Sequence, residues 1–164
     1  MKKLEFKIEI LSEPRKVYQT MLGLENKSRG QWASMGKGGA DFIIDDLALL
    51  RLGRCTFKGD WNNITISNFR IERPMVNGKY AFYSTEAGPQ IGNISGITTN
   101  VIMKNCDIRG TVDDSTAFYF VQSGLVTNNH WEDGGGVNVG NGTNSEKLIF
   151  QNNTHINNPL QFNP

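Results

Sequence analysis

Asparagine recurs in a fixed frame along this chain, at Asn68, Asn105, Asn128 and Asn152, each placed just after a short alternating apolar run. Aligning NITISNFRI (63–71), NVIMKNCDI (100–108), SGLVTNNHW (123–131) and KLIFQNNTH (147–155) produces columns. Two residues before each asparagine stand Ile66, Met103, Val126 and Phe150; four before it stand Ile64, Val101, Gly124 and Leu148; three after it come Ile71, Ile108, Trp131 and His155. Side chains alternate across a strand, so the positions two and four before the asparagine share a face. Each repeat therefore supplies a short strand with an inward stripe, and the asparagine marks a bend.

Successive asparagines lie 37, 23 and 24 residues apart. Repeats of about 20 to 30 residues with a strand and a turn signature read as stacked solenoid coils, and the two shorter spacings suit coils without insertions. Stacking at one corner would let each asparagine amide bond its neighbour one coil up, as strands repeating in register do. A buried corner amide left unpaired would cost about 1 to 3 kcal/mol.

Each coil also has room for a third strand. AFYST (81–85), AFYFV (117–121) and GVNVG (136–140) occupy matching places, with LALLRL (47–52) as an earlier copy, and the two AFY triplets are 36 residues apart. Residues 1–40 carry no repeat: a charged alternating start (LEFKIEI), a short helix expected around Pro14 to Leu22, then a loop in which GKGG is a glycine turn, because the frame of a phosphate loop is missing. Coils are expected over 41–164.

Composition excludes several classes of function. At 164 residues the chain has room for one domain, and 18 glycines with plentiful Asn, Ser and Thr suit many short strands and turns. A net charge of +1 without a basic stripe argues against nucleic acid. No apolar run is long enough to span a membrane, and Glu5, Lys7 and Glu9 break up any signal peptide. Cys55 and Cys106 form neither a disulfide framework nor a zinc spacing with the histidines, and Cys106 reads as a small buried thiol. No metal or other cofactor is expected.

With these columns the chain resembles a right-handed, single-stranded parallel β-helix of the pectate-lyase-like superfamily, over about residues 41–162. Its irregular coils and outward aromatic residues are most similar to bacteriophage tailspikes and tail-fibre depolymerases. That resemblance implies a homotrimer on the virion tail that binds and cleaves bacterial surface polysaccharide, capsule or lipopolysaccharide; the other expected location is extracellular, by a non-classical route. RIERPMV (70–76) resembles an RxPxxR element of pectate lyases, but its second arginine position is unfilled.

In a solenoid, function must lie on the outward columns. Three residues before each asparagine stand Thr65, Ile102, Leu125 and Ile149, an apolar stripe that suits either a contact along a trimer axis or a covering loop. On the third strand, Phe82, Phe118 and Val137 read as inward, which puts Tyr83, Tyr119 and Asn138 outward, as a platform for a sugar ring or as a structural tyrosine ladder. Carboxylates gather on adjoining loops: Asp113, Asp114, Glu132, Asp133 and Glu86 are the candidate catalytic residues, because glycosidic cleavage uses one protonated and one ionised carboxyl. Crowded carboxylates raise one pKa, as a general acid requires. Glu72, Arg109 and Glu132 share a column and read as a structural charge ladder, which ranks Glu132 below the three aspartates. His130 is a further carbohydrate-binding candidate and, with Tyr119, a proton shuttle if the chemistry is that of a lyase. A non-catalytic adhesin or stalk segment is the alternative from a different class. The C-terminal NNPLQFNP reads as mid-coil, which implies an open strand edge or a fragment of a longer helix.

Overall fold

The computed structural model describes residues 4–7, 35–50, 58–72, 75–77, 79–80, 87–92, 96–140, 142–144 and 146–163. These form β1 (Leu4–Lys7), β2 (Met35–Asp45), β3 (Ala48–Leu50), β4 (Lys58–Ser67), β5 (Arg70–Glu72), β6 (Met75–Val76), β7 (Lys79–Tyr80), β8 (Gln90–Ile91), β9 (Val101–Lys104), β10 (Asp107–Arg109), β11 (Thr116–Tyr119), β12 (Gly124–Thr127), β13 (His130–Glu132), β14 (Val137–Gly140), β15 (Leu148–Gln151), β16 (Thr154–Ile156) and β17 (Leu160–Asn163). Among the described residues there is no helix. The helix expected over 14–22 lies outside them, as do Cys55, Tyr83 and Glu86.

The chain is an all-β parallel β-solenoid of about four turns. Three faces repeat. The strands before the asparagines stack as β4–β9–β12–β15, and those after them as β3–β5–β10–β13–β16. The third face runs β8–β11–β14–β17 and joins the first through the long β2 and β4, whose N-terminal halves belong to it. Register follows the sequence columns on the first two faces: Ile66 pairs with Met103, Met103 with Val126 and Val126 with Phe150, while Ile71, Ile108, Trp131 and His155 stack on the second. The inward positions are the core, with Ile64, Ile66, Val101, Met103, Ile108, Phe118, Val126 and Trp131 fully buried.

The third face departs from expectation. Ala117 and Phe118 of the second AFY pair with Gln90 and Ile91, and the first AFY, 81–83, lies outside the described residues. Part of the 37-residue interval is spent on the antiparallel hairpin β6–β7, which a fixed repeat cannot anticipate. Phe118 pairs with Val139, not Val137, a slip of two that keeps the inward face but moves every neighbour by one pair. LALLRL does not supply a third strand: Ala48–Leu50 pairs with Arg70–Glu72 and belongs to the second face.

The reason for the asparagine column is backbone geometry. Asn68, Asn105, Asn128 and Asn152 have φ of 52°, 55°, 55° and 53°, and Asp46 one coil earlier has 53°. This left-handed region is costly for most L-residues, and Asn and Asp tolerate it best after glycine. The corner side chains are exposed, and the expected ladder is fragmentary: Asn68 Nδ2 donates to Asp45 Oδ1 at 2.8 Å, and Asn105 Nδ2 reaches Asn68 Oδ1 only at 3.5 Å.

The buried ladder stands one residue later. Asn129, 2 % exposed, accepts the Cys106 amide on Oδ1 and donates from Nδ2 to the Met103 carbonyl. Asn153 Oδ1 accepts both the Asn129 backbone and side-chain N–H groups, and its Nδ2 donates to the Val126 carbonyl. Cys106 occupies the same column and is buried as expected; burial pushes its thiol up to about 12. Two further corners show the same left-handed turn, at Asn63 and Asn100 and at Gly110, Asp133 and Asn157.

Candidate functional site

The most concentrated set of candidate residues lies on the outward side of the third face. β11 carries Tyr119 outward because Phe118 is committed to the core. β14 carries Asn138 outward between the buried Val137 and Val139. The two-residue slip makes Asn138 the lateral partner of Ala117 and Gly140 that of Tyr119. Asn138 and Tyr119 therefore meet diagonally, with Nδ2 3.4 Å from the phenol oxygen. Ala117 faces outward yet is fully buried, so the accessible part of this face begins at Tyr119 and Asn138.

Asp114 enters the cluster from the loop that leads into β11. Tyr119 Oη donates to its Oδ2 at 3.2 Å, and Asn138 Nδ2 approaches the same oxygen at 3.5 Å. Partial burial raises the Asp114 pKa above the ordinary aspartate value, and the neighbouring Asp113 charge adds to the rise; the Tyr119 and Asn138 hydrogen bonds oppose it. The loop is pinned on both sides: the Gly88 amide donates to the Asp114 carbonyl at 2.9 Å, and the Gly135 amide to the Asp113 carbonyl at 3.1 Å. Gly135 has to be glycine for that approach, since a Cβ there would lie 2.6 Å from the Asp113 carbonyl oxygen. Asp113 itself is exposed beside Asp114.

The sequence reasoning missed one member of this cluster. Asn163 Nδ2 donates to Asn138 Oδ1 at 2.9 Å, orienting the amide so that its Nδ2 points toward Tyr119 and Asp114. Extending the coil repeat by one more strand, to β17, would have found it.

The other candidates lie elsewhere. Glu132 and His130 project from β13 on the second face, where His130 Nε2 and Glu132 Oε2 are 3.1 Å apart. Arg109 Nη1 is 3.3 Å from the same Glu132 oxygen, and Arg109 also donates from Nε and Nη2 to the two Asp107 oxygens at 2.7 and 2.9 Å. Glu72, Arg109 and Glu132 stand in one column, as expected. Asp133 holds the third corner at φ 50°, with its Oδ1 accepting from Asn157 Nδ2 at 2.9 Å. Tyr83 and Glu86 lie outside the described residues.

Among the described residues, no group of three or more His, Cys, Asp or Glu side chains is placed to hold a metal ion. No family model, no curated protein and no solved structure matches this chain.

Proposed function

We propose that this solenoid binds bacterial surface polysaccharide on its third face and cleaves it by glycoside hydrolysis, in the manner of phage tailspikes and tail-fibre depolymerases. The observation that carries this reading is the half-buried Asp114 carboxyl, raised in pKa and held between the Tyr119 phenol and the Asn138 amide. A carboxyl that keeps its proton to higher pH suits a general acid. Asp114 protonates the glycosidic oxygen as the bond from that oxygen to the anomeric carbon breaks. Asp113, exposed and adjacent, is the second carboxyl group, which activates water or attacks the anomeric carbon. Tyr119 offers a flat ring to a pyranose, and Asn138 offers an amide to its hydroxyls.

Binding without cleavage is the second reading, and a specific observation favours it. Glu132 is engaged by Arg109 and His130, and Asp133 by Asn157, which leaves Asp113 as the only partner carboxyl for Asp114 among the described candidates. Three-fold assembly along the column of Ile102, Leu125 and Ile149, on the tail of a virion, belongs to the same proposal. Ile102 and Ile149 are 40 % and 48 % exposed in the single chain, and an apolar column of that kind suits a subunit contact.

The test is release of reducing ends from purified capsular and lipopolysaccharide glycans by wild type, Asp113→Asn and Asp114→Asn. Release by wild type that falls by about a hundredfold or more in Asp114→Asn is the expected result. Binding without release from any bound glycan would leave the adhesin reading, and no binding would end both.

A further inference from the structure

We infer that the sugar unit taken at Tyr119 and Asn138 is uncharged, a neutral or N-acetylated hexose and not a uronate, sialate or phosphorylated sugar. This rests on the glycan reading above and narrows it to a substrate class.

The first ground is charge. From Gly110 to Pro164 the chain contains one Lys or Arg, Lys147. Lys147 lies on a different face, immediately before β15, where its carbonyl accepts the Gly124 amide. Among the described residues, β8, β11, β14 and β17 and the loops 110–115 and 133–136 contribute no cation, Lys37 and Lys58 of this face stand on β2 and β4 beyond β8, and the acidic groups of the cluster are Asp113 and Asp114. An anionic sugar seated there would meet Asp113 and Asp114 with no guanidinium or ammonium from these strands and loops to pair with. Like charges brought together at an interface oppose binding strongly, more so where water is partly excluded.

The second ground is the kind of polar group present. The Tyr119 hydroxyl, the Asn138 amide and the Asn163 amide behind it are uncharged, and they are joined in one hydrogen-bonded run from Asp114 to Asn163. Such groups match hydroxyls and acetamido groups, which donate and accept without net charge. A carboxylate ligand calls instead for a planar, charged fork such as arginine provides. The lack of a basic side chain on β11, β14, β17 and their loops argues against β-elimination of a uronate at Tyr119 and Asn138, because that reaction needs the sugar carboxylate neutralised before its neighbouring proton can leave.

The experiment is a binding survey of the intact chain on immobilised bacterial polysaccharides, each uronate-containing polymer presented beside its own carboxyl-reduced, neutral form. The expected result is binding to neutral polymers, with each acidic form weaker than its reduced counterpart by about tenfold or more at low salt. Raising salt from about 20 to about 500 mM narrows that gap in wild type, and Asp113→Asn narrows it at low salt. Equal or tighter binding of the acidic forms would overturn the inference and leave the glycan reading standing. Binding to no polymer of either kind would remove the glycan reading and this inference with it.

Discussion

The Tyr119 phenol donates to the Asp114 carboxylate across 3.2 Å, although the two residues belong to different elements, a strand and the loop before it. This bond favours the ionised carboxylate, while burial and Asp113 favour the protonated one and prevail.

Asp114 therefore gives stability a pH dependence. Its folded-state pKa lies above the ordinary value of 3.8, so unfolding releases a proton at pH values between the two. Its contribution is most favourable below about 3.8 and is lost as pH rises through the folded-state value. Asp114→Asn is expected to be more stable than wild type above that window and equal to it below, in urea titrations across pH. Tyr119→Phe removes a bond that lowers the pKa, so the Asp114 carboxyl should titrate higher still, read by carboxyl carbon NMR.

Asn129 should be far less replaceable than the exposed corner asparagine beside it. Asn129→Leu strands the Cys106 amide and the Met103 carbonyl inside the core, at a cost of about 3 kcal/mol. The expected result is a lower urea midpoint with little change in the slope of the transition.

At the corner itself, backbone conformation decides the outcome. Asn128 has φ 55° and an exposed side chain. Asn128→Gly should change stability by less than about 0.5 kcal/mol, whereas Asn128→Val should cost about 1 to 2 kcal/mol. If both cost the same, the asparagine column is not selected by the left-handed turn.

The Cys106 thiol should be inert in the folded chain. It is 2 % exposed and its pKa is pushed up to about 12, so almost no thiolate forms near neutral pH. In a Cys55→Ser background, a disulfide reagent should label it only after denaturant is added.

The apolar column on the first face makes a prediction about assembly. Ile102 stacks on Leu125, and Leu125 on Ile149. If they line a trimer axis, Ile102→Glu should convert the trimer to monomer in light scattering while leaving the far-ultraviolet dichroism unchanged. A wild-type monomer at micromolar concentration would remove that contact from the proposal.

Much of this architecture is legible in the sequence, for a physical reason. A parallel solenoid repeats the same local demand at every coil: an apolar side chain inward every second residue and a residue that tolerates positive φ at the corner. Ile66, Met103, Val126 and Phe150 with Asn68, Asn105, Asn128 and Asn152 are a direct record of those demands, so the first two faces and their register could be read without coordinates. The role of the asparagines was less legible, because a residue chosen for its backbone and one chosen for its side chain look alike in sequence. Only the structure separates exposed Asn128 from buried Asn129.

The third face was decided by tertiary structure. Its strands are separated from the asparagine corners by intervals of unequal length, and a slip of two residues preserves the alternation that sequence reasoning relies on. Pairing of Phe118 with Ile91 and Val139 is fixed instead by how the chain closes around the core. That choice of register brings Asn138 diagonally against Tyr119 and Asp114, and puts Asn163 behind it. The sequence determined that Tyr119 and Asn138 face outward; the closing of the coil determined which side chains they meet there.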